Sequence, residues 1–149
     1  MNCFIIHGQP KSYNSWKRSK PSCQAYLNNV IQSFQTAHQN HQILLGDLYG
    51  IVYYFFKLDK KHDADNLSKP VWDCLTNIIY LDDNQIKLRL AGTFDLSKYG
   101  AKEIDLTKIP SSIMGQFLDA LDNHDHFLYV ECGNLSFSHY QFNIQIDAV

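Results

Sequence analysis

The chain lacks any apolar run long enough to form a membrane-spanning helix. Such a helix needs roughly 18 to 20 consecutive apolar residues, and the apolar runs here are shorter than that. The first residues, Met1 to His7, also lack the basic start and long apolar segment that are typical of a signal peptide. We therefore expect an intracellular, cytoplasmic protein of a prokaryotic or phage-like context, with no membrane association.

Cysteines are few and widely spaced along the chain. Cys3, Cys23, Cys74 and Cys132 include no C-x-x-C pair, which is the usual sign of a thiolate zinc site. In a cytosolic protein, isolated cysteines are usually free and buried. We expect four free thiols and no zinc site built from them.

A strong net charge is also lacking, but the charges are unevenly distributed. The net charge is −2, and residues 1–102 hold 12 Lys+Arg against 8 Asp+Glu. Residues 103–149 hold 1 against 7. The first part can present a basic face, whereas the acidic last third suits a protein partner better than DNA. Ordinary surface charge is the alternative explanation of this asymmetry.

The apolar pattern predicts a single α+β domain over residues 1–149. The composition is 45% apolar, which is enough for one packed core. Periodicity predicts strands at residues 2–6, 42–56 (kinked, or a hairpin), 85–90, 103–106, 126–132 and 141–146, and helices at 22–39, 66–79 and 111–121. Asn66 is the expected N-cap of the second helix, and Pro70 falls in its first turn. This order indicates a mixed or antiparallel sheet with helices mainly on one face.

Two pairs of aspartates flank the second predicted helix. Asp63 and Asp65 end an extended segment, where alternation along a strand turns both carboxylates to one side. Asp82 and Asp83 open the next strand and approach the first pair if the two strands are neighbours. Crowded carboxylates repel each other without a cation, and hard oxygen ligands suit Mg²⁺, with Mn²⁺ as a substitute. We predict a metal site made of Asp63, Asp65, Asp82 and Asp83 that supports phosphodiester hydrolysis.

Lys69 lies one helical turn after Asp65, close enough to contact a phosphate beside the metal site. Asp73 lies one turn further and is expected to orient Lys69. Each residue also has a simpler explanation, because Asp65 can be part of a helix cap and Lys69 a solvated lysine. By the same argument, the Asp82–Asp83 pair can be an ordinary polar turn.

Taken together, these segments resemble the RusA-type Holliday-junction resolvases. That family carries a D-x-D-N-x-x-K segment, an aromatic-Asp-x-Leu step and a D-D-x-Q-[VI] segment, which match residues 63–69, 72–75 and 82–86 in order. A weaker match, P-x-S-x-N, covers residues 10–14. The resemblance implies a RusA-like fold and a homodimer that binds branched DNA. It also implies Mg²⁺-dependent cleavage of symmetrically placed phosphodiesters, in DNA recombination and repair.

Carried over residue by residue, the resemblance makes Asp63, Asp65 and Asp83 the metal-binding and catalytic aspartates. Lys69 becomes the catalytic lysine, and Asp82 is their neighbour. After Leu90 the resemblance is lost, so residues 100–149 form an atypical acidic C-terminal extension. Two alternatives therefore stay open. One is a related nuclease of a mobile element or defence system that acts on flaps, single strands or RNA. The other is a nucleic-acid-binding relative that does not cleave.

Basic residues in two loops are the predicted contacts to the DNA backbone. No helix-turn-helix or zinc finger is visible, so recognition by shape and phosphate geometry is expected. One group follows the first strand and the other precedes the aspartates; together they are Asn14, Lys17, Arg18, Lys20, Lys60 and Lys61. A merely solvated loop is the alternative for each group.

Overall fold

A four-stranded mixed sheet forms the centre of the protein in the computed structural model, which describes residues 1–16, 20–58 and 63–136. The strands are β1 (Asn2–His7), β2 (Leu48–Phe56), β3 (Ile86–Asp95) and β4 (His126–Asn134). They lie in the order β1-β4-β2-β3. Strand β4 is antiparallel to both of its neighbours, and β2 is parallel to β3. The α+β class and the mixed sheet predicted from the sequence are confirmed.

Helix α2 (Ala64–Leu75) connects the two parallel strands. Parallel strands need such a crossover, because a tight turn cannot return the chain to the start of the neighbouring strand. Leu67, Val71 and Leu75 recur at helical spacing on α2 and are fully buried. Trp72 is also fully buried and lies directly over Gly50 of β2, where an added Cβ would come within 2.6 Å of the indole ring. Glycine at position 50 therefore sets how closely α2 approaches the sheet.

The two faces of the sheet carry different helices. Helix α1 (Pro21–Ala37) packs with α2 on one face. Helix α4 (Ser111–Asn123) packs on the opposite face against an aromatic cluster that contains Phe55 and Phe127. The short helix α3 (Leu96–Tyr99) follows β3. Two of the three longer helices thus share a face, as predicted. No helix in the described ranges has the length and apolar character needed to span a bilayer.

Strand β4 shows how the acidic last third enters the core. It lies between β1 and β2, and its residues alternate between the two faces of the sheet. Phe127 and Tyr129 point to the α4 side, whereas Leu128 and Val130 point to the side of α1 and α2. The last third therefore supplies an interior strand of the sheet as well as acidic surface. All four cysteines are free and buried, as expected.

Two predicted strands differ from the observed elements. The strand expected at residues 103–106 is wrong, because short 3₁₀ helices occupy Ala101–Glu103 and Leu106–Lys108. Between them the Asp105 side chain accepts a hydrogen bond from the Thr107 amide, a local bond that competes with strand pairing. The strand expected from residue 42 begins only at Leu48, after Gly46 with its φ of 81°. The strand expected at residues 141–146 lies outside the described residues.

Helix α2 begins and ends earlier than predicted. Asp63, not Asn66, occupies the N-cap position, so Pro70 falls in the second turn rather than the first. The helix stops at Leu75, because Asn77 adopts a left-handed conformation with φ of 64°. A free carbonyl near this end is satisfied from outside the helix, since the Tyr80 hydroxyl donates to the Trp72 carbonyl at 2.6 Å.

Candidate catalytic site

Lys69 joins helix α2 to the turn that precedes β3. Asp65, Lys69 and Asp73 follow each other at intervals of four residues, so they share one face of the helix. The Lys69 Nζ donates to Asp73 Oδ1 at 2.6 Å and to Asp83 Oδ2 at 2.9 Å. The contact between Lys69 and Asp73 that the spacing predicts is therefore present. The same lysine brings Asp83 to the helix from a point 14 residues further along the chain.

Asp83 lies between two cations. Arg89 of β3 donates through Nη2 to the Asp83 carbonyl at 2.9 Å and to its Oδ2 at 3.2 Å. The hydrogen bond from Lys69, and next the one from Arg89, lowers the pKa of Asp83 against the opposing effect of burial. The hydrogen bond to Asp73, and then the one to Asp83, raises the pKa of Lys69. At neutral pH Asp83 is therefore anionic and Lys69 cationic.

Arg89 is a site residue that the sequence did not reveal. It is one of only two arginines in the chain, and it lies six residues after Asp83. In a sequence this poor in arginine, that proximity to a paired aspartate is the available signal. Spacing alone does not show that the strand turns its side chain back toward the preceding turn.

The turn that carries Asp83 is fixed by its neighbours. The Asp82 side chain accepts from the Asn84 amide at 2.9 Å, and Gln85 Oε1 accepts from the Asp82 amide at 3.1 Å. These reciprocal bonds form a capping box. The Gln85 Nε2 also donates to the carbonyls of Leu44 and Gly46, which ties the turn to the chain entering β2. Asp82 thus serves as a turn cap, the simpler of its two explanations.

Asp63 and Asp65 lie at the start of α2. Asp63 has an extended backbone at the N-cap position, and Asp65 belongs to the first helical turn. The expectation that strand alternation aligns their carboxylates is therefore wrong, because the helix begins between them. Both side chains nevertheless lie at the amino end of a helix, where negative charge is stabilised.

The predicted metal ligands are not assembled into a metal centre in this arrangement. Within residues 1–16, 20–58 and 63–136, no three His, Cys, Asp or Glu side chains are grouped closely enough to hold an ion. Asp83 is instead paired with Lys69 and Arg89, and Asp82 caps its own turn. The donor chemistry still suits Mg²⁺, since Asp63, Asp65 and Asp83 offer carboxylate oxygens.

The predicted DNA contacts are only partly within the described residues. Asn14 is exposed in a 3₁₀ turn, Tyr13–Ser15, that lies against α2. Lys20 is exposed immediately before α1. Both positions are open to a ligand, and Asn14 lies on an element that contacts the helix of Lys69. The other four candidates fall outside the described residues: Lys17, Arg18, Lys60 and Lys61.

Comparison with known proteins gives one family. Residues 8–104 match the family model described as endodeoxyribonuclease RusA. The match takes in α2, the turn with Asp83 and all of β3, and it ends before α4 and β4. No curated protein gives a significant match to the chain.

Proposed function

Because the chain belongs to the RusA endodeoxyribonuclease family, we propose that it is a structure-selective endonuclease that hydrolyses phosphodiesters in branched DNA, above all in Holliday junctions. The observation that carries the proposal is the contact of Lys69 with Asp83, made between two segments that both lie in the matched region. The contact joins a cation suited to a phosphate to one of the carboxylates suited to a metal ion. DNA recombination and repair are the processes that such an activity serves.

In this proposal Lys69 is the group that contacts the scissile phosphate. Its ammonium is held at 2.6 Å from Asp73 and stays protonated, so it can stabilise the charge that develops on the phosphate oxygens. Because Lys69 has two carboxylate partners, it keeps Asp73 if Asp83 turns toward another cation. Asp73 is thus a positioning residue rather than a catalytic one.

Asp63, Asp65 and Asp83 are the proposed catalytic carboxylates. They would hold Mg²⁺, or Mn²⁺ as a substitute, which when bound would activate a water and stabilise the leaving oxygen. Arg89 contacts the carbonyl as well as the carboxylate of Asp83, and we assign it the role of keeping that residue oriented. Asp82 remains a neighbour, occupied by its turn.

Recognition of the DNA rests on phosphate contacts in this proposal. Asn14, Lys17, Arg18, Lys20, Lys60 and Lys61 would hold the backbone without reading its sequence. A homodimer would present two equivalent sites, which suits the symmetry of a four-way junction.

We further propose that residues 1–149 act as one intracellular domain. The acidic surface of residues 100–149 would face a protein partner rather than the DNA.

The decisive experiment incubates the purified protein with labelled four-way junctions, flaps, single strands and linear duplex, in Mg²⁺, Mn²⁺ or EDTA. We expect symmetric nicks in the junction that require the metal. The variant Asp83→Asn should lose at least about 100-fold in rate, as expected for removing a group that acts in the transition state. Asp82→Asn is the matched control and should retain near wild-type activity, because asparagine also caps turns.

The outcomes separate the proposal from its alternatives. Cleavage of only flaps, single strands or RNA would indicate the related nuclease of a mobile element or defence system. Binding without cleavage in either metal would contradict both enzymatic readings and leave a nucleic-acid-binding relative. Equal losses in Asp82→Asn and Asp83→Asn would show that the two aspartates are not distinguished in the way the turn geometry implies.

A further inference from the structure

A cavity of about 330 Å³ lies on the α4 face of the sheet, away from the Lys69 site. Its walls are mainly apolar, and five of the lining residues are aromatic: Tyr53 and Phe55 from β2, Phe94 from β3, Phe117 from α4 and Tyr129 from β4. This volume is at the lower end of the range for small-molecule pockets, which are also lined mostly by apolar and aromatic groups. Half of the lining residues follow the family match, which ends at residue 104.

One carboxylate, that of Glu131, lines the cavity among these rings. Glu131 lies on β4 two residues after Tyr129, so both side chains project from the same side of the strand. Its Oε1 accepts from the Tyr49 hydroxyl at 2.6 Å, and its Oε2 accepts from the Tyr129 hydroxyl. Burial, followed by the bond to Glu131, raises the pKa of both tyrosines, so their hydroxyls remain protonated donors. The carboxylate is therefore held in one orientation.

The hydrogen-bond partners of Glu131 in the described part of the chain are neutral tyrosine hydroxyls. Among the described residues, no lysine or arginine forms an ion pair with it. Each carboxylate oxygen has two acceptor sites, and the tyrosines use one on each, which leaves one on each for a ligand. A partly buried carboxylate without a counter-ion favours the approach of a cation.

The rest of the lining has the same charge preference. Glu103 and Asp105 contribute two more carboxylates, and Lys108 is the one cation among the cavity's lining residues. The bonds from Thr107 lower the pKa of Asp105, which is therefore anionic at neutral pH. An anionic ligand, including a DNA phosphate, would meet net repulsion here. These carboxylates are not grouped as a metal site either, because no three His, Cys, Asp or Glu side chains of the described residues lie close enough together to hold an ion.

We propose that this cavity binds an organic cation of the guanidinium class on an apolar stem, with its head paired to Glu131 and its body against the aromatic rings. A guanidinium is planar, which lets it donate two parallel hydrogen bonds to one carboxylate. The same planarity allows it to stack on rings such as those of Tyr53 and Tyr129. Arginine side chains of a protein and free guanidine compounds share this chemistry.

The test titrates the full-length, ¹⁵N-labelled protein with butylguanidinium and follows the amide resonances. We expect shifts at residues 129–132 of β4 and around Phe94. Butylurea has nearly the same shape without the charge, and it should bind at least about tenfold more weakly. Acetyl-Gly-Arg-Gly-amide distinguishes the source. Binding as tight as that of butylguanidinium would indicate an arginine side chain, and weaker binding would indicate a free small cation.

Three variants connect the binding to the residues that carry the argument. Glu131→Gln keeps the shape and should weaken butylguanidinium binding by about tenfold or more. Asp122→Asn, an exposed carboxylate outside the cavity, should have no effect. Lys108→Met should have the opposite effect, binding about twofold tighter, because a competing cation is gone. This surface change keeps the test valid even if Glu131→Gln impairs folding.

Three results would overturn the proposal. One is equal binding of butylguanidinium and butylurea, since charge would then play no part. Another is binding that neither Glu131→Gln nor Lys108→Met changes. The third is a set of shifted resonances centred on α2 and the turn of Asp83 rather than on β4, because the cation would then bind at the acidic residues of the other site.

Discussion

Each face of the sheet holds a partly buried carboxylate, but the hydrogen-bond partners of the two carboxylates differ in charge. On the side of α1 and α2, Asp83 is neutralised by Lys69 and Arg89, which come from different elements. On the α4 side, Glu131 is held by the neutral hydroxyls of Tyr49 and Tyr129. Cations of the protein itself therefore pair with the first carboxylate. The second has no such partner among the described residues, and it is the proposed contact for an external cation.

The two carboxylates also differ in where they lie relative to the family match at residues 8–104. The Lys69 site lies entirely within residues 8–104, whereas the Glu131 cavity depends on α4 and β4, which come later. The sheet joins the two parts, because β4 pairs with β2 along its whole length. A single sheet therefore carries one group of charged residues from within the matched region on one face, and a cavity built partly from later residues on the other.

The largest expected effect concerns the aromatic packing on the α4 face. Phe117 is fully buried and meets Phe55 and Phe127 edge-to-face at centroid distances of 5.5 and 5.7 Å. Phe117→Ala should lower the free energy of unfolding by about 3–5 kcal/mol, measured by urea denaturation. Leu118→Ala, at the exposed neighbouring position, is the control and should change it by under about 1 kcal/mol. Similar losses in both would show that α4 does not pack through Phe117.

The next effect tests whether the proposed catalytic site lies on the α2 face of the sheet. Lys69→Met keeps an apolar stem but removes the ammonium, so junction cleavage should fall by about 100- to 1000-fold. Lys102→Met changes an exposed lysine beyond β3 and should leave the rate within about twofold. Single-turnover cleavage rates at saturating protein measure both. An unaffected rate in Lys69→Met would remove the site from the α2 face.

A smaller effect compares two glycines, Gly50 of β2 beneath α2 and the exposed Gly115 of α4. A Cβ at Gly50 would collide with Trp72, whereas one at Gly115 of α4 has no neighbouring heavy atom within 4 Å. Gly50→Ala should therefore destabilise the protein by about 1–3 kcal/mol. Gly115→Ala should stabilise it by about 0.5–1 kcal/mol, because glycine is a poor helix former. Thermal unfolding of the two variants gives the comparison, and equal signs would contradict it.

The smallest effect is the pH dependence of the charged pair. Because the pKa of Asp83 is lowered from 3.8 in the folded protein, its contribution to stability is complete above about pH 5 and is lost as the pH falls through the lowered pKa. Lys69 and Asp83 are 37% and 26% exposed, so solvent screening limits that contribution to about 1 kcal/mol.

Urea denaturation of wild type and Asp83→Asn should show this difference at pH 6 and a smaller one at pH 3. The control, measured at the same two pH values, is Asp82→Asn, whose carboxylate accepts from a backbone amide. A difference between wild type and Asp83→Asn that grows on acidification would contradict the assigned direction of the pKa shift.

The spacing of apolar residues predicted the strands and helices well where nothing else competes with it. The apolar pattern predicted the strands β1, β3 and β4. The four-residue interval predicted the contact of Lys69 with Asp73. The predictions failed where a single side chain or backbone conformation overrides the pattern. Asp105 bonds to its own turn instead of entering a strand, and Asn77 ends α2 early. Such choices depend on competing local bonds that periodicity does not weigh.

The sequence by itself determined the α+β class, the free buried cysteines and the candidate residues of the catalytic site, because spacing and residue type carry that information along the chain. Only the tertiary structure decided how the carboxylates are used. Asp83 meets Arg89 and Lys69 because β3 lies beside β2 and under α2. Glu131 reaches Tyr49 across a strand pairing between residues 82 positions apart. Contacts at such distances depend on strand order and register, which are properties of the packed sheet rather than of any local segment.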